Sequence, residues 1–334
     1  FEKFRSFFRG AFMSVLASIL AFLKKWKTLL LIIFIPFAGV SLLLLALISS
    51  HPGAGTSFKI MVYQWWNNIF KGGDPFLLIE KGDLSGLEKL LKSHPEMAME
   101  REPARGATPL HTVQDVPTAQ LLLDHGAEID AELSGYSGAT TPLFDAIYGG
   151  RTELALFLID KGADIKKLND FNRTPLHVAA SCGDVEVTAA LLKKGADPTF
   201  RGPRTGDLTP PQEAAFNGKL PVLQHFYEQG VSFDLTETLF ISISPRNNSV
   251  NRFLLDTGKI DVNAQNKYGS TLLHESASFG NHEVFRLLLE RGADPERPDK
   301  DGKRVIDQLK DLNFSLLDQS ERDRILKILE EFKN

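Results

Sequence analysis

One pattern recurs along this chain and limits its fold more than anything else. Residues 174–198 read TPLHVAASCGDVEVTAALLKKGADP, and residues 271–295 read TLLHESASFGNHEVFRLLLERGADP. Thr141 to Gly162, Thr174 to Gly195, Thr209 to Gly230 and Thr271 to Gly292 each span 21 positions, and Thr141 and Thr174 lie 33 apart. Self-similarity at such a period marks one supersecondary unit per copy. A unit this short cannot bury its own apolar face, so copies must stack on one another.

The residues within a copy define the unit. Thr174 is placed to cap a helix N-terminus, and Pro175 falls at the first helical position, where a missing N–H costs nothing. Ala179 and Ala180 are small enough for close packing of a first helix. Gly183 and Gly195 can take the left-handed conformation that ends each helix. Val187, Ala190, Leu191 and Leu192 form an apolar stripe at helical spacing on a longer second helix.

The T-P-L-H opening and the 33-residue period together resemble the ankyrin repeat, a β-turn followed by two antiparallel helices. The resemblance covers residues 74–334. It implies an all-α solenoid of helix-turn-helix repeats with β-hairpin tips, about seven units including caps. A degenerate copy lies at 76–95. The copy at 108–127 is three residues short between its helices, with Pro117 starting the second. Copies follow at 141, 174, 209, 237 and 271, and a polar C-terminal cap starts at 301. The copy at 237 carries Pro245 and Arg246 near the expected Gly, which predicts a first helix that ends early.

A second feature precedes the array. Leu29 to Ile48 is a run without a charge, long enough to span roughly 30 Å as a helix, the hydrocarbon thickness of a bilayer. It is read as one transmembrane helix; a cleavable signal peptide is the rival, but its apolar region would be shorter. Lys3, Arg5, Arg9, Lys24, Lys25 and Lys27 come before the run and only Lys59 follows closely. The positive-inside rule then puts residues 1–28 in the cytoplasm and the array beyond an inner membrane, in the periplasm. Residues 1–28 carry six cations and Glu2, a net of +5, so with −4 for the whole chain the rest carries −9. An acidic array with no basic stripe is a poor nucleic-acid binder. The linker 49–73 carries Tyr63, Trp65, Trp66, Ile69 and Phe70, which either cover the end of the first repeat or form an aromatic belt at the bilayer surface.

Nothing in the sequence points to catalysis, a cofactor or a metal. His111, His177 and His274 all occupy the T-P-L-H slot, where the resemblance implies an imidazole that ties neighbouring loops together. The other histidines show no ligand spacing. Cys182, the single cysteine, has no patterned His partner. The stretch GYSG at 135–138 lacks the Gly-x-Ser-x-Gly pattern of a nucleophile elbow.

Recognition remains. The resemblance implies partner binding through the repeat tips and the exposed face of the first helices. On the helices those positions are Asp145, Tyr148, Glu213, Phe216, Glu275 and Phe279; at the tips they are Tyr136, Phe171, Phe200, Arg201, Phe233, Lys267 and Tyr268. Stacking would align them into a groove of carboxylates with interleaved aromatics, suited to a protein with a basic patch. The expected function is a membrane-tethered protein-binding module. Its topology is similar to that of bacterial periplasmic immunity proteins that neutralise secreted membrane-attacking phospholipase toxins. An envelope scaffold or assembly factor is the alternative, and a cytosol-facing adaptor a third.

Overall fold

The computed structural model describes Tyr63, Asn67 and residues 73–103, 105–133, 140–202, 208–310 and 317–333. All belong to the unit Tyr63–Asn334. The segment 1–28, the apolar run 29–48 and most of the linker lie outside the described residues. Among those described, no helix is long and apolar enough to cross a membrane.

The described residues form eight successive helix pairs, the seven copies read from the sequence and a last pair where the polar cap is expected. The pairs are α1 (Pro75–Glu80) with α2 (Leu84–Ser93), α3 (Pro109–Thr112) with α4 (Val116–Asp124), and α5 (Pro142–Tyr148) with α6 (Thr152–Asp160). Then come α7 (Pro175–Cys182) with α8 (Val185–Lys193), α9 (Pro210–Phe216) with α10 (Leu220–Glu228), and α11 (Leu235–Ser242) with α12 (Asn248–Asp256). The array ends with α13 (Leu272–Ser278) and α14 (His282–Glu290), then α15 (Val305–Lys310) and α16 (Gln319–Lys333).

Local chemistry sets these boundaries. Pro occupies the first turn of α1, α3, α5, α7 and α9, behind Asp74 or a Thr. Several second helices start on side-chain caps: Asp83, Asp115 and Asp184 accept from the N–H groups of Gly86, Thr118 and Val187 at 2.8, 2.8 and 2.9 Å. Such caps satisfy amides that a helix start leaves orphaned. Gly183 ends α7 at φ 89. Pro117 sits in the first turn of α4, and α11 stops at Ser242 before a 3₁₀ turn, Pro245–Asn247, as the prolines predict.

First helices pack on first helices and second on second along most of the stack, with one apolar core running from Ile79 to Leu329. Phe144, Phe226 and Phe285 are fully buried in it, and each contributes about 2–3 kcal/mol of apolar transfer. At the N-terminal end the Tyr63 ring lies 6.4 Å from that of Phe76, and burial raises its hydroxyl far above the ordinary tyrosine range. Trp65, Trp66, Ile69 and Phe70 lie outside the described residues.

The tips depart from expectation. Among the described residues there is no β-strand, only an isolated antiparallel bridge between Gln265 and Thr271. The reason is local. Asn169 donates its N–H to Arg173 O at 3.0 Å and accepts that of Asn172 at 2.8 Å, while its side-chain oxygen takes the N–H groups of Phe171 and Arg173. Asn266 and Asp299 build the same loop over 266–270 and 299–303. The Asx side chain satisfies amides that a hairpin ladder would otherwise need, so the tip closes as a tight turn.

Candidate partner-binding face

The tips are held in place from below by the T-P-L-H slot. His111, His177 and His274 each place Nδ1 2.7–2.8 Å from the hydroxyl of Thr108, Thr174 or Thr271. Nε2 faces the main-chain oxygen of Thr140, Leu208 or Lys303 in the next repeat, at 3.3, 3.1 and 3.0 Å. A carbonyl only accepts, so Nε2 carries the proton, and at His111 and His177 Nδ1 accepts the N–H of Thr108 or Thr174, which makes those two rings neutral bridges. Burial holds the His111 imidazole below the ordinary range. In the fifth repeat Gln212 takes the slot, accepting from Thr209 N at 3.0 Å and donating to Glu237 at 2.8 Å. In the third the slot holds the buried Phe144.

On this frame the expected aromatics divide. Phe171, Phe216, Tyr268 and Phe279 are each more than half exposed, and Tyr148 nearly so. Phe200 and Phe233 are half-buried: Phe200 sets its ring edge-on to His177 at 5.9 Å, and Phe233 packs against the core. Arg201 pairs with Glu237 at 2.7 Å, and Lys267 lies 5.1 Å above the Tyr268 ring. Arg201, Gln212, Phe233 and Asp234 line one open polar cavity between tips. Tyr136 lies outside the described residues.

The carboxylates need correcting. Glu213, expected as an exposed acid, is 2% exposed, and its carboxylate forms an ion pair with Arg173, Nη2 lying 2.7 Å away. Val178, at the same slot of the preceding copy, is also fully buried, so this position packs inward. Asp145 is half-buried, and burial raises its carboxyl above the usual range against the pull of Arg151 and Arg105. Glu275 is half-buried and accepts from Asn266 Nδ2 at 2.9 Å. The groove of free carboxylates inferred from the sequence is not what the fold presents.

Three consecutive repeats instead converge on one neighbourhood. Asn169 Nδ2 donates to the Tyr148 hydroxyl at 3.0 Å, and burial raises that phenol above the ordinary range against the pull of the Arg173 charge. Phe171 and Arg173 share a tip with Asn169, and Phe216 lies one turn beyond Glu213 on α9. Sequence reasoning missed Arg173, whose one signal was its place directly before a T-P-L-H motif. It also missed Arg151 and Lys219, which stand at the starts of second helices where other copies carry Asp or Asn. Arg151 donates to the main-chain oxygens of Val113 and Asp145 at 2.9 and 2.5 Å. Among the described residues no group of three or more His, Cys, Asp and Glu is placed to hold a metal ion.

Comparison with known proteins agrees with this architecture. The family model "Ankyrin repeats (3 copies)" matches residues 76–169, 115–202 and 212–299. An ankyrin repeat protein of Fowlpox virus (strain NVSL) is 27% identical over 172 residues, 46% of this chain and 82% of the viral protein. The human transient receptor potential cation channel subfamily A member 1 is 26% identical over 138 residues, and its Caenorhabditis elegans homolog 26% over 204. The matches span 10% and 14% of those two channels' lengths. The crystal structure of the human ASB11 ankyrin repeat domain superposes with a TM-score of 0.56 at 22% identity, covering 66% of this chain and 98% of that one, a likeness of fold.

Proposed function

The chain belongs to the ankyrin-repeat family, and from that premise we propose that it recognises a partner protein through the face formed by its first helices and tips. Ankyrin arrays are protein-interaction modules. The observation that carries the choice of face is that three successive repeats expose an aromatic, Tyr148 on α5, Phe171 at the following tip and Phe216 on α9. Exposed aromatics at one locus are the usual anchors of an interface, because they bury large area with few rotamers to freeze. Affinity capture with the full chain, compared with a Tyr148→Ala/Phe216→Ala variant, tests this. A partner retained by the wild type and lost by an equally stable variant is expected; equal capture by both overturns the choice of face.

The uncharged run Leu29–Ile48 and the six cations before it support a narrower form of the reading. In it the array is held beyond an inner membrane and binds a secreted membrane-attacking phospholipase as an immunity protein. The rival form is an envelope scaffold recruiting a resident protein. A captured lipase that loses activity when bound supports the first, and a resident protein that keeps its activity supports the second. Protease resistance of the array in spheroplasts overturns both and leaves the cytosol-facing adaptor.

A further inference from the structure

We propose that the patch around Arg173 binds an acidic segment of the partner, a carboxylate flanked by apolar side chains. This rests on the protein-binding reading above and names the partner's chemistry at that face.

The inference comes from which charges remain accessible there. The carboxylates are engaged: Glu213 is buried against Arg173, Asp145 is half-buried beside Arg151, and Asp184 accepts from Val187 N and the Thr152 hydroxyl at 2.9 and 2.6 Å. The cations are more accessible. The Arg173 side chain is 39% exposed even though its Nη2 pairs with the buried Glu213. A guanidinium presents donors in a plane that matches a carboxylate. Lys219 lays its stem over Gly183, where an added Cβ would stand 2.9 Å from Lys219 Cδ, and makes no ion pair among the described residues. Arg246, next along, is exposed.

The surroundings sharpen the contrast. Residues beyond 28 carry a net −9, so an acidic ligand is repelled by most of the array and attracted where cations predominate. That gives register as well as affinity. Tyr148, Phe171 and Phe216 supply apolar contact for the residues beside the carboxylate, and excluding water there strengthens the charged hydrogen bond. A basic partner, which the sequence pattern suggests, would meet Arg173 and Lys219 instead of free carboxylates.

The test pans a phage-displayed library of random short peptides against the full chain, then measures selected peptides by fluorescence polarisation. Enriched sequences should carry Asp or Glu beside Leu, Phe or Tyr. Their affinity should fall about tenfold in an Arg173→Gln/Glu213→Gln variant, which removes both partners of the ion pair together, and similarly in Phe216→Ala. It should weaken with added salt. Enrichment of Lys- or Arg-rich peptides, or equal binding by the Arg173→Gln/Glu213→Gln variant, overturns the proposal while leaving protein binding intact. A selection that enriches nothing also overturns it, and the capture experiment then decides the broader reading separately.

Discussion

His177 Nε2 stands 3.1 Å from the main-chain oxygen of Leu208, so one imidazole in the fourth repeat fixes the approach to the fifth. Its other nitrogen is 2.8 Å from the Thr174 hydroxyl at the start of its own helix. The ring is 1% exposed, and its removal leaves a part-buried carbonyl and a buried hydroxyl unmatched. His177→Ala is expected to cost about 1–3 kcal/mol of unfolding free energy. His177→Gln should recover part of that, since Gln212, in the same slot of the next copy, accepts from the Thr209 N–H and donates to Glu237 of the following repeat. Urea unfolding followed by circular dichroism measures both. Equal losses for Ala and Gln would show that packing, not bridging, is what the imidazole supplies.

The Arg173–Glu213 pair predicts a non-additive cycle. Arg173→Gln alone leaves a carboxylate, whose side chain is 3% exposed, without its cation. The expected loss is about 2 kcal/mol, reduced from the value for a fully buried pair because Arg173 itself is partly solvated. Adding Glu213→Gln should restore most of it. If the two substitutions together cost the sum of the separate losses, the pair is not coupled and Glu213 is stabilised by its other neighbours.

How much of this was legible in the sequence follows from range. Thr174, Pro175 and Gly183 act within one helix and its caps, and each does in the structure what its chemistry suggests from the sequence alone. The bridging role of His177 was legible only through the family resemblance, because its partner Leu208 lies in the next repeat. Pro245 likewise announces the early end of α11. The orientation of Glu213 was not legible, because it depends on Arg173, forty positions earlier on a different tip. Strands were expected at the tips and turns formed instead, since Asn169, Asn266 and Asp299 satisfy the loop amides themselves. Of the candidate binding residues, the exposed aromatics on first helices were legible as outward positions from spacing. Whether Phe200 and Phe233 stay outside depended on packing against His177 and the core, which a repeat alignment does not show.

Acid should weaken the array through His111. Burial lowers its pKa in the folded state, below the ordinary value of about 6.5 that the unfolded chain retains. The unfolded chain therefore takes up the proton first. The stabilising contribution is fully present above about pH 6.5 and is lost as pH falls from there through the lower folded-state value. Asp145 acts in the opposite sense at lower pH, because burial raises its carboxyl. Comparing thermal midpoints of wild type and His111→Gln between neutral and mildly acidic pH isolates the imidazole. The wild type should lose more, and parallel curves would remove His111 as the cause.

Gly269 and Gly302 occupy the same place in their tips but different surroundings, which separates backbone strain from collision. Each donates its N–H back to the Asx residue that builds the loop, at 2.8 Å to Asn266 and 3.1 Å to Asp299, with φ at 78 and 77. An alanine at either position meets the same left-handed penalty, about 1–2 kcal/mol. At Gly302 the new Cβ has nothing within 4 Å. At Gly269 it would stand 2.6 Å from Lys300 Cβ and 2.9 Å from Lys300 N, next to Asp299, whose turn anchors the following tip. Gly302→Ala should therefore cost only the strain, and Gly269→Ala about 1–3 kcal/mol more, because the main chain of a neighbouring repeat must shift to admit the methyl. Urea midpoints for the two variants measure the difference. Equal losses would mean that adjacent tips slide past each other freely, and the His274 bridge to Lys303 would then not be holding them in register.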